Sequence, residues 1–244
     1  MPIVWTIAAR GRAIRDIDEN AATLGETDSD MQWPDPMALF AQFVADGFAV
    51  PLESGRAVLF RPERMPADFA RDEQVWTVQV DGLHPGYARV VANLLRAPGL
   101  DVAIVASSDG GDGVALATDM PYPPGPALRR VDYEYVPPDP YTMPGGRRLE
   151  LSFRRPLTPD ASARLGERLQ SWIDVVWRSG FALQGEAPGD CGAIPAWPYP
   201  HDPNTQAVDF EQVFLVDEAC FASVLAFAER LLDERIDIAA VRVE

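Results

Sequence analysis

The chain has no lysine. All 21 of its basic residues are arginine, against 37 Asp and Glu, for a formal charge of −16. The missing lysine reads as a coding bias toward GC-rich codons rather than a demand for guanidinium groups. The deficit of positive charge excludes more. Affinity for nucleic acid comes from cationic groups that release phosphate counterions, and affinity for anionic membranes from clustered Lys and Arg, so neither partner is expected. Cysteine is scarce too: Cys191 and Cys220 alone, too few for a disulfide scaffold. No apolar run approaches the roughly 18 residues that cross a bilayer. The opening Met-Pro-Ile-Val-Trp-Thr lacks the basic and long apolar regions of a secretory leader. The expectation is a cytoplasmic protein with reduced thiols.

Catalytic signatures are missing as well. The chain has no GxSxG elbow, P-loop, GxGxxG, HExxH or CxxC, and only two histidines, His84 and His201. Whether the chain is an enzyme stays open, since one fold hosts many functions, but the reading leans away from catalysis, with no cofactor and no metal expected.

What the chain does have is an internal echo. Residues 92–105 lie over 228–241 at an offset of 136 without a gap, Val80-Asp81 falls on Val216-Asp217 at the same offset, and Gly47-Phe48-Ala49-Val50 matches Gly180-Phe181-Ala182-Leu183 at an offset of 133. Repeats of this kind are settled before individual elements. With 244 residues and 47% hydrophobic content, the chain can bury a real core.

Each half predicts the same order. In the first, Ile3–Ala9 reads as a strand, and Asp35-Pro36 as a helix start with a cap and an N1 proline. Met37, Phe40, Phe43 and Val44 fall on one helical face, and Gly47 stops that helix. Gly47–Val50 and Arg56–Phe60 then read as strands, joined as a hairpin through Glu53-Ser54-Gly55. Val75–Val80 is a strand, Tyr87 to Leu95 a helix with an apolar stripe, and Leu100–Ala106 the last strand. In the second half, Leu149, Leu151 and Phe153 alternate with polar residues in a strand, and Thr158-Pro159-Asp160 opens a helix. Phe181–Gln184 and Val208–Val216 read as strands, a helix follows Asp217, and Ile236–Val243 closes the chain as a strand.

The expected fold is therefore α+β: tandem duplicated ferredoxin-like (βαββαβ) units, their antiparallel sheets each carrying helices on one face. The halves span residues 1–106 and 147–244. A Pro/Tyr-rich connector over 107–146 holds one candidate strand at Val131 to Tyr135, and a proline-rich insertion fills 186–206. Two helix-covered sheets each keep an open face, and the expectation is that these faces bury one another or that sheet edges pair.

Candidate chemistry concentrates where the halves differ. The connection after Arg15 carries Asp16, Asp18, Glu19, Glu26, Asp28, Asp30 and Asp35 with no basic residue, and acids in that density complement a basic surface. Trp197, Tyr199 and His201 stand in the loop Trp197-Pro198-Tyr199-Pro200-His201-Asp202, and rings of this kind make large contact areas in interfaces. The competing role for these rings, and for Tyr133, Tyr135 and Tyr141, is to cover sheet edges within the molecule. Ser107-Ser108-Asp109-Gly110-Gly111-Asp112-Gly113 lacks the spacing of a calcium loop and reads as a turn. Asp81 and His84 could pair at the mouth of a helix, near Tyr87, but a helix cap and a surface histidine explain them as well.

The reading that results is a non-catalytic acidic binding protein for a partner with a basic surface, as an immunity or inhibitor protein neutralising a basic toxin or effector would be. It is monomeric, with a dimer as the alternative. The rival reading is a small-molecule binder or enzyme with its site between the two sheets. The acidic connection yields a direct expectation: reversing charge at Asp16, Asp18, Asp28 and Asp30 slows association with the basic partner and flattens its salt dependence, as stopped-flow binding at several ionic strengths reads out.

Overall fold

Asp35 shows how local sequence sets the first helix. Its carboxylate accepts the Met37 N–H at 2.8 Å, Pro36 takes the first helical position, and Gly47 ends the helix at φ 100°, a left-handed conformation that glycine adopts without strain. Helix α1 is Pro36–Asp46, with Met37, Phe40, Phe43 and Val44 buried. Thr158 repeats the device, accepting from the Ala161 N–H at 3.2 Å ahead of Pro159, and α3 runs Pro159–Trp177. Helix α2 is Tyr87–Arg96 and α4 is Ala219–Asp233. The computed structural model describes residues 3–14, 35–53, 56–108, 113–126, 130–137, 147–182, 193–195, 197–213 and 217–244.

Among the described residues the fold is α+β, with these four helices and two sheets. The first sheet contains β1 (Ile3–Arg10), β2 (Leu59–Arg64), β3 (Glu73–Asp81), β4 (Asp101–Ser108) and β5 (Val114–Ala115), in the order β2-β3-β1-β4-β5. It is antiparallel throughout, with Ile7 opposite Trp76 on one side and Ile104 on the other. The second contains β6 (Asp132–Tyr135), β7 (Arg147–Phe153), β8 (Ala193–Pro195), β9 (Tyr199–Asp202), β10 (Thr205–Val213) and β11 (Ile238–Val243). Its order is β6-β11-β7-β10-β8, with β9 also on β10, and β6 is its one parallel strand, alongside β11.

Two strand expectations are corrected. Gly47–Val50 is not a strand. The Val50 N–H donates to the Tyr87 hydroxyl at 2.8 Å and that hydroxyl donates to the Phe48 carbonyl at 3.3 Å, so a buried phenol takes up the backbone groups a neighbouring strand would have used. In the matching segment Phe181 lies in a turn and Ala182 makes a β-bridge, and residues 183 and 184 lie outside the described residues. The hairpin falls elsewhere: β2 begins at Leu59 and pairs with β3, its edge position tolerating Pro62.

The expected packing is also corrected. The sheets do not bury their open faces against each other; the helices lie between them. Strand residues Trp5, Ile7, Trp76, Val78, Leu149 and Leu151 face inward and are buried, while alternate residues face out. Helix α1 packs on α3. In α2 every residue from Tyr87 to Leu95 is buried, and α4 is buried over Cys220, Phe221 and Ser223 to Ala228, as expected for helices covered on all sides. The buried apolar residues of both halves form one cluster.

The contact between the halves is crosswise. The segment ending α1 meets α4: Phe48 stacks on Phe227 with ring centroids 4.3 Å apart. The segment ending α3 meets α2, and a Cβ on Gly180 would stand 3.2 Å from Val90. This second contact is polar. The Arg89 guanidinium donates to the Ala182 carbonyl at 3.0 Å and lies 4.0 Å over the Tyr122 ring, while Asn93 donates to the Tyr122 hydroxyl at 2.8 Å and the Gly180 carbonyl at 3.3 Å. Tyr122 itself donates to the Ala182 carbonyl at 2.5 Å. Phe48→Ala empties the stack and costs about 3–5 kcal/mol, and Tyr122→Phe takes one of two donors from the Ala182 carbonyl and an acceptor from Asn93, for about 1–2 kcal/mol. Urea unfolding midpoints measure both, and a Tyr122→Phe midpoint equal to wild type removes that hydroxyl from the junction.

Candidate functional site

Helix α3 buries Leu165, Leu169, Trp172, Ile173 and Val176 and turns the opposite stripe outward. That stripe carries Ala163, Glu167, Gln170, Asp174 and Trp177, spaced three or four apart and so aligned along one face. Beyond its N-terminal part, Trp197 and Pro198, ahead of β9, and Pro200 within β9 lie alongside the helix. The space between holds a cleft of about 440 Å³ whose apolar wall is those rings and whose other wall is Ser162, Gly166, Glu167 and Gln170. Gly166 keeps it wide: a Cβ there would meet Gln206 at 3.8 Å and Pro198 at 4.0 Å, so alanine fits but narrows the opening. Gln206 closes the floor, buried and accepting from the Ser162 hydroxyl at 3.1 Å.

A second cleft, about 340 Å³, continues between α3 and α1, sharing Glu167 and Gln170 and adding Asp46, Arg168 and Asp174. The cation here is already engaged. Arg168 pairs with Glu234 at 2.7 Å, donates to the Asp46 carbonyl at 2.7 Å and lies 4.7 Å over the Phe227 ring. Glu167 has no ion-pair partner among the described residues, so the uncompensated charge where the clefts meet is negative. Burial pushes the Asp174 carboxyl above its ordinary value, against the pull of the Gln170 amide and of Arg178. The Gln170 amide donates to Asp174 at 2.7 Å, which leaves its Oε1 buried with no hydrogen-bond partner. An unmet buried acceptor costs on the order of 1–3 kcal/mol.

The candidates named from sequence fall in different places. Trp197 is 76% exposed, at the rim of the first cleft. Tyr199 and His201 alternate with Pro200 along β9 and stand on the opposite, outer face of the second sheet, their rings 6.4 Å apart. The loop therefore straddles a sheet edge rather than presenting one patch. Asp16, Asp18, Glu19, Glu26, Asp28 and Asp30 lie outside the described residues, as do Asp109 to Asp112, Tyr141 and Cys191. Asp81 and His84 have separate partners: Asp81 pairs with Arg56 at 2.5 Å, and His84 Nδ1 accepts the Gly86 N–H at 3.1 Å, with burial holding its pKa below the ordinary value. Tyr87 is a buried core phenol, its pKa raised by burial. Cys220 is buried, and burial holds its thiol well above the ordinary range. Sequence reasoning passed over Glu167, Gln170 and Asp174 because any solvated helix face looks like theirs. Only the placement of Trp197 beside them marks this one.

Among the described residues no group of three or more His, Cys, Asp and Glu is placed to hold a metal, and no helix is long and apolar enough to cross a membrane. Comparison with protein-family models, with curated proteins and with solved structures finds no match to this chain.

The outer face around Tyr199 is internally paired. Arg148 donates to Asp209 Oδ1 at 2.7 Å and the Tyr199 hydroxyl donates to Asp209 Oδ2 at 2.7 Å. Arg148 chiefly, with help from Tyr199, holds the Asp209 carboxyl below its ordinary 3.8. A depressed carboxyl stabilises the fold above its unfolded pKa and loses that contribution as pH falls through the folded value. NMR titration of the Asp209 carboxyl carbon is expected to give a midpoint below 3.8, rising toward the ordinary value in Arg148→Met. A midpoint unmoved by Arg148→Met means that Arg148 is not its cause.

Proposed function

We propose that the protein is a non-catalytic, cytoplasmic, monomeric binding protein for a partner with a basic surface, in the manner of an immunity or inhibitor protein that neutralises a basic toxin or effector. One observation carries this reading: the most exposed large ring among the described residues, Trp197, borders a cleft whose unpaired charge, Glu167, is negative, in a chain of formal charge −16. Exposed tryptophan beside a concave surface is the arrangement in which interface energy concentrates. Like charge over the rest of the surface draws a basic partner toward it and repels acidic ones.

We also read each half as a ferredoxin-like unit and the chain as a tandem of two. Strand order supports this. In each half the first strand lies between the third and the last: β1 between β3 and β4, β7 between β10 and β11. β8 and β9, end to end along β10, stand in the position that β2 holds in the first half.

A small-molecule reading keeps one specific support. A separate cleft of about 460 Å³ is lined by Arg155 and Arg235, neither engaged in an ion pair among the described residues, and would suit an anion. Its site would lie between the β7–α3 and α4–β11 connections, on the surface rather than between the sheets.

Capture from the source cell with the tagged full chain decides between the readings. At low ionic strength, where the screening length is about 30 Å, a stoichiometric basic protein is expected on the chain, released as salt shortens that length to about 8 Å. Recovery of no stoichiometric partner at low salt overturns the binding-protein reading.

A further inference from the structure

We propose that the cleft between α3 and the Trp197 loop is an arginine-binding site, receiving a single guanidinium from the surface of the basic partner. The inference deepens the partner-binding reading and rests on it. Three features of the cleft point to this group. Its outer wall is an indole exposed over 76% of its surface and flanked by Pro198 and Pro200, a flat apolar plate of the kind on which a guanidinium stacks. The wall opposite carries the carboxylate of Glu167, with no cation of the chain paired to it among the described residues, so the charge of an incoming arginine meets its complement. A guanidinium presents a planar fork of N–H groups to a carboxylate while its face lies on a ring, where an ammonium is a compact point charge that stacks less well. Finally, the cleft is the right kind of space: at about 440 Å³ and open along one side, it admits a side chain presented by a protein surface rather than enclosing a free molecule.

Among the described residues no arginine of the chain lines it. Arg168, on α3, is turned to Glu234 and the Asp46 carbonyl and lies over Phe227. Trp197 and Glu167 are exposed, so variants at either leave the core untouched.

The test is an NMR titration of the ¹⁵N-labelled full chain, following the Trp197 indole N–H, with its resonance assigned by Trp197→Phe. The probes are three capped peptides, Gly-Ser-X-Ser-Gly, with X as arginine, lysine or citrulline. Arginine is expected to shift the Trp197 signal saturably. Lysine binds more weakly, and citrulline, which keeps the shape and loses the charge, weakens binding by at least about fivefold, as does arginine with Glu167→Gln. An unmoved Trp197 signal with the arginine peptide overturns the proposal, and so does equal affinity for arginine and citrulline. The two readings fail separately. An unmoved signal in a chain that still captures a basic partner at low salt removes the arginine cleft alone. Arginine-selective seating in a chain that captures no partner removes the basic-partner reading and leaves the cleft's selectivity standing.

Discussion

The arrangement of the whole molecule depends on how Arg89 is buried. It is a cation inside the molecule, 6% exposed, and among the described residues no carboxylate pairs with it. A buried charge is costly unless its donors are satisfied. Here the Ala182 carbonyl, left free just past the end of α3, accepts from it, and the Tyr122 ring covers its face. Those partners come from the second half and from the connector, so the first half cannot bury α2 by itself. The connector is held to the same place. Gly86 at the start of α2 lets it pass, since a Cβ there would lie 2.7 Å from the Pro121 carbonyl oxygen. Removing either the connector or the end of α3 would leave a charge in an apolar interior.

The two contacts of this junction differ in chemistry, which the proposed duplication alone would not produce. At the repeat offset, Arg89 corresponds to Leu225 and Asn93 to Glu229. The two crosswise contacts thus share geometry but not chemistry: Phe48 on Phe227 is an apolar stack, whereas Gly180 to Ala182 on α2 is a hydrogen-bonded cluster. An apolar stack tolerates sliding, while directional bonds to fixed carbonyls set one orientation of α2 against the other half. With the helices committed to each other, the sheets must face water. An antiparallel sheet can do so if its outer face is polar. The second sheet meets the condition with crossing charges, Arg242 to Glu134 and Arg148 to Asp209. Short β5 and β6 cover the β4 and β11 edges, limiting the row of backbone groups left open to another chain.

What was legible in the sequence was local. The caps of α1 and α3 are set by Asp35, Pro36, Gly47, Thr158 and Pro159 through contacts within four residues, and so were the alternation of β7 and the stripe of α4. Two kinds of feature were hidden. Gly47 to Val50 reads as a strand because a short apolar run looks the same in either state. Its actual conformation is decided by a phenol 37 residues away. The layer order was hidden by the same residues that create it. Arg89 and Asn93 make α2 look amphipathic, with a polar face for solvent, when both are buried against the second half. The cleft was half legible: Trp197 stood out as an aromatic in a proline-rich loop, but which helix it would lie against depended on β9 pairing with β10, a long-range contact that no local pattern encodes.

The charge and the cleft act at different stages of one encounter. A formal charge of −16 spread over the surface has no shape, and through a screening length of about 8 Å at physiological salt it draws any basic protein. Such a field raises the rate of approach without choosing among partners. Choice needs a short-range element that only the right geometry completes, and differences among partners then appear in how long they stay. The cleft beside α3 has that character. Its wall is an indole flanked by two prolines, and its carboxylate has no ion-pair partner among the described residues. A site held partly unsatisfied by the fold, on a surface that attracts every cation, discriminates by what completes it.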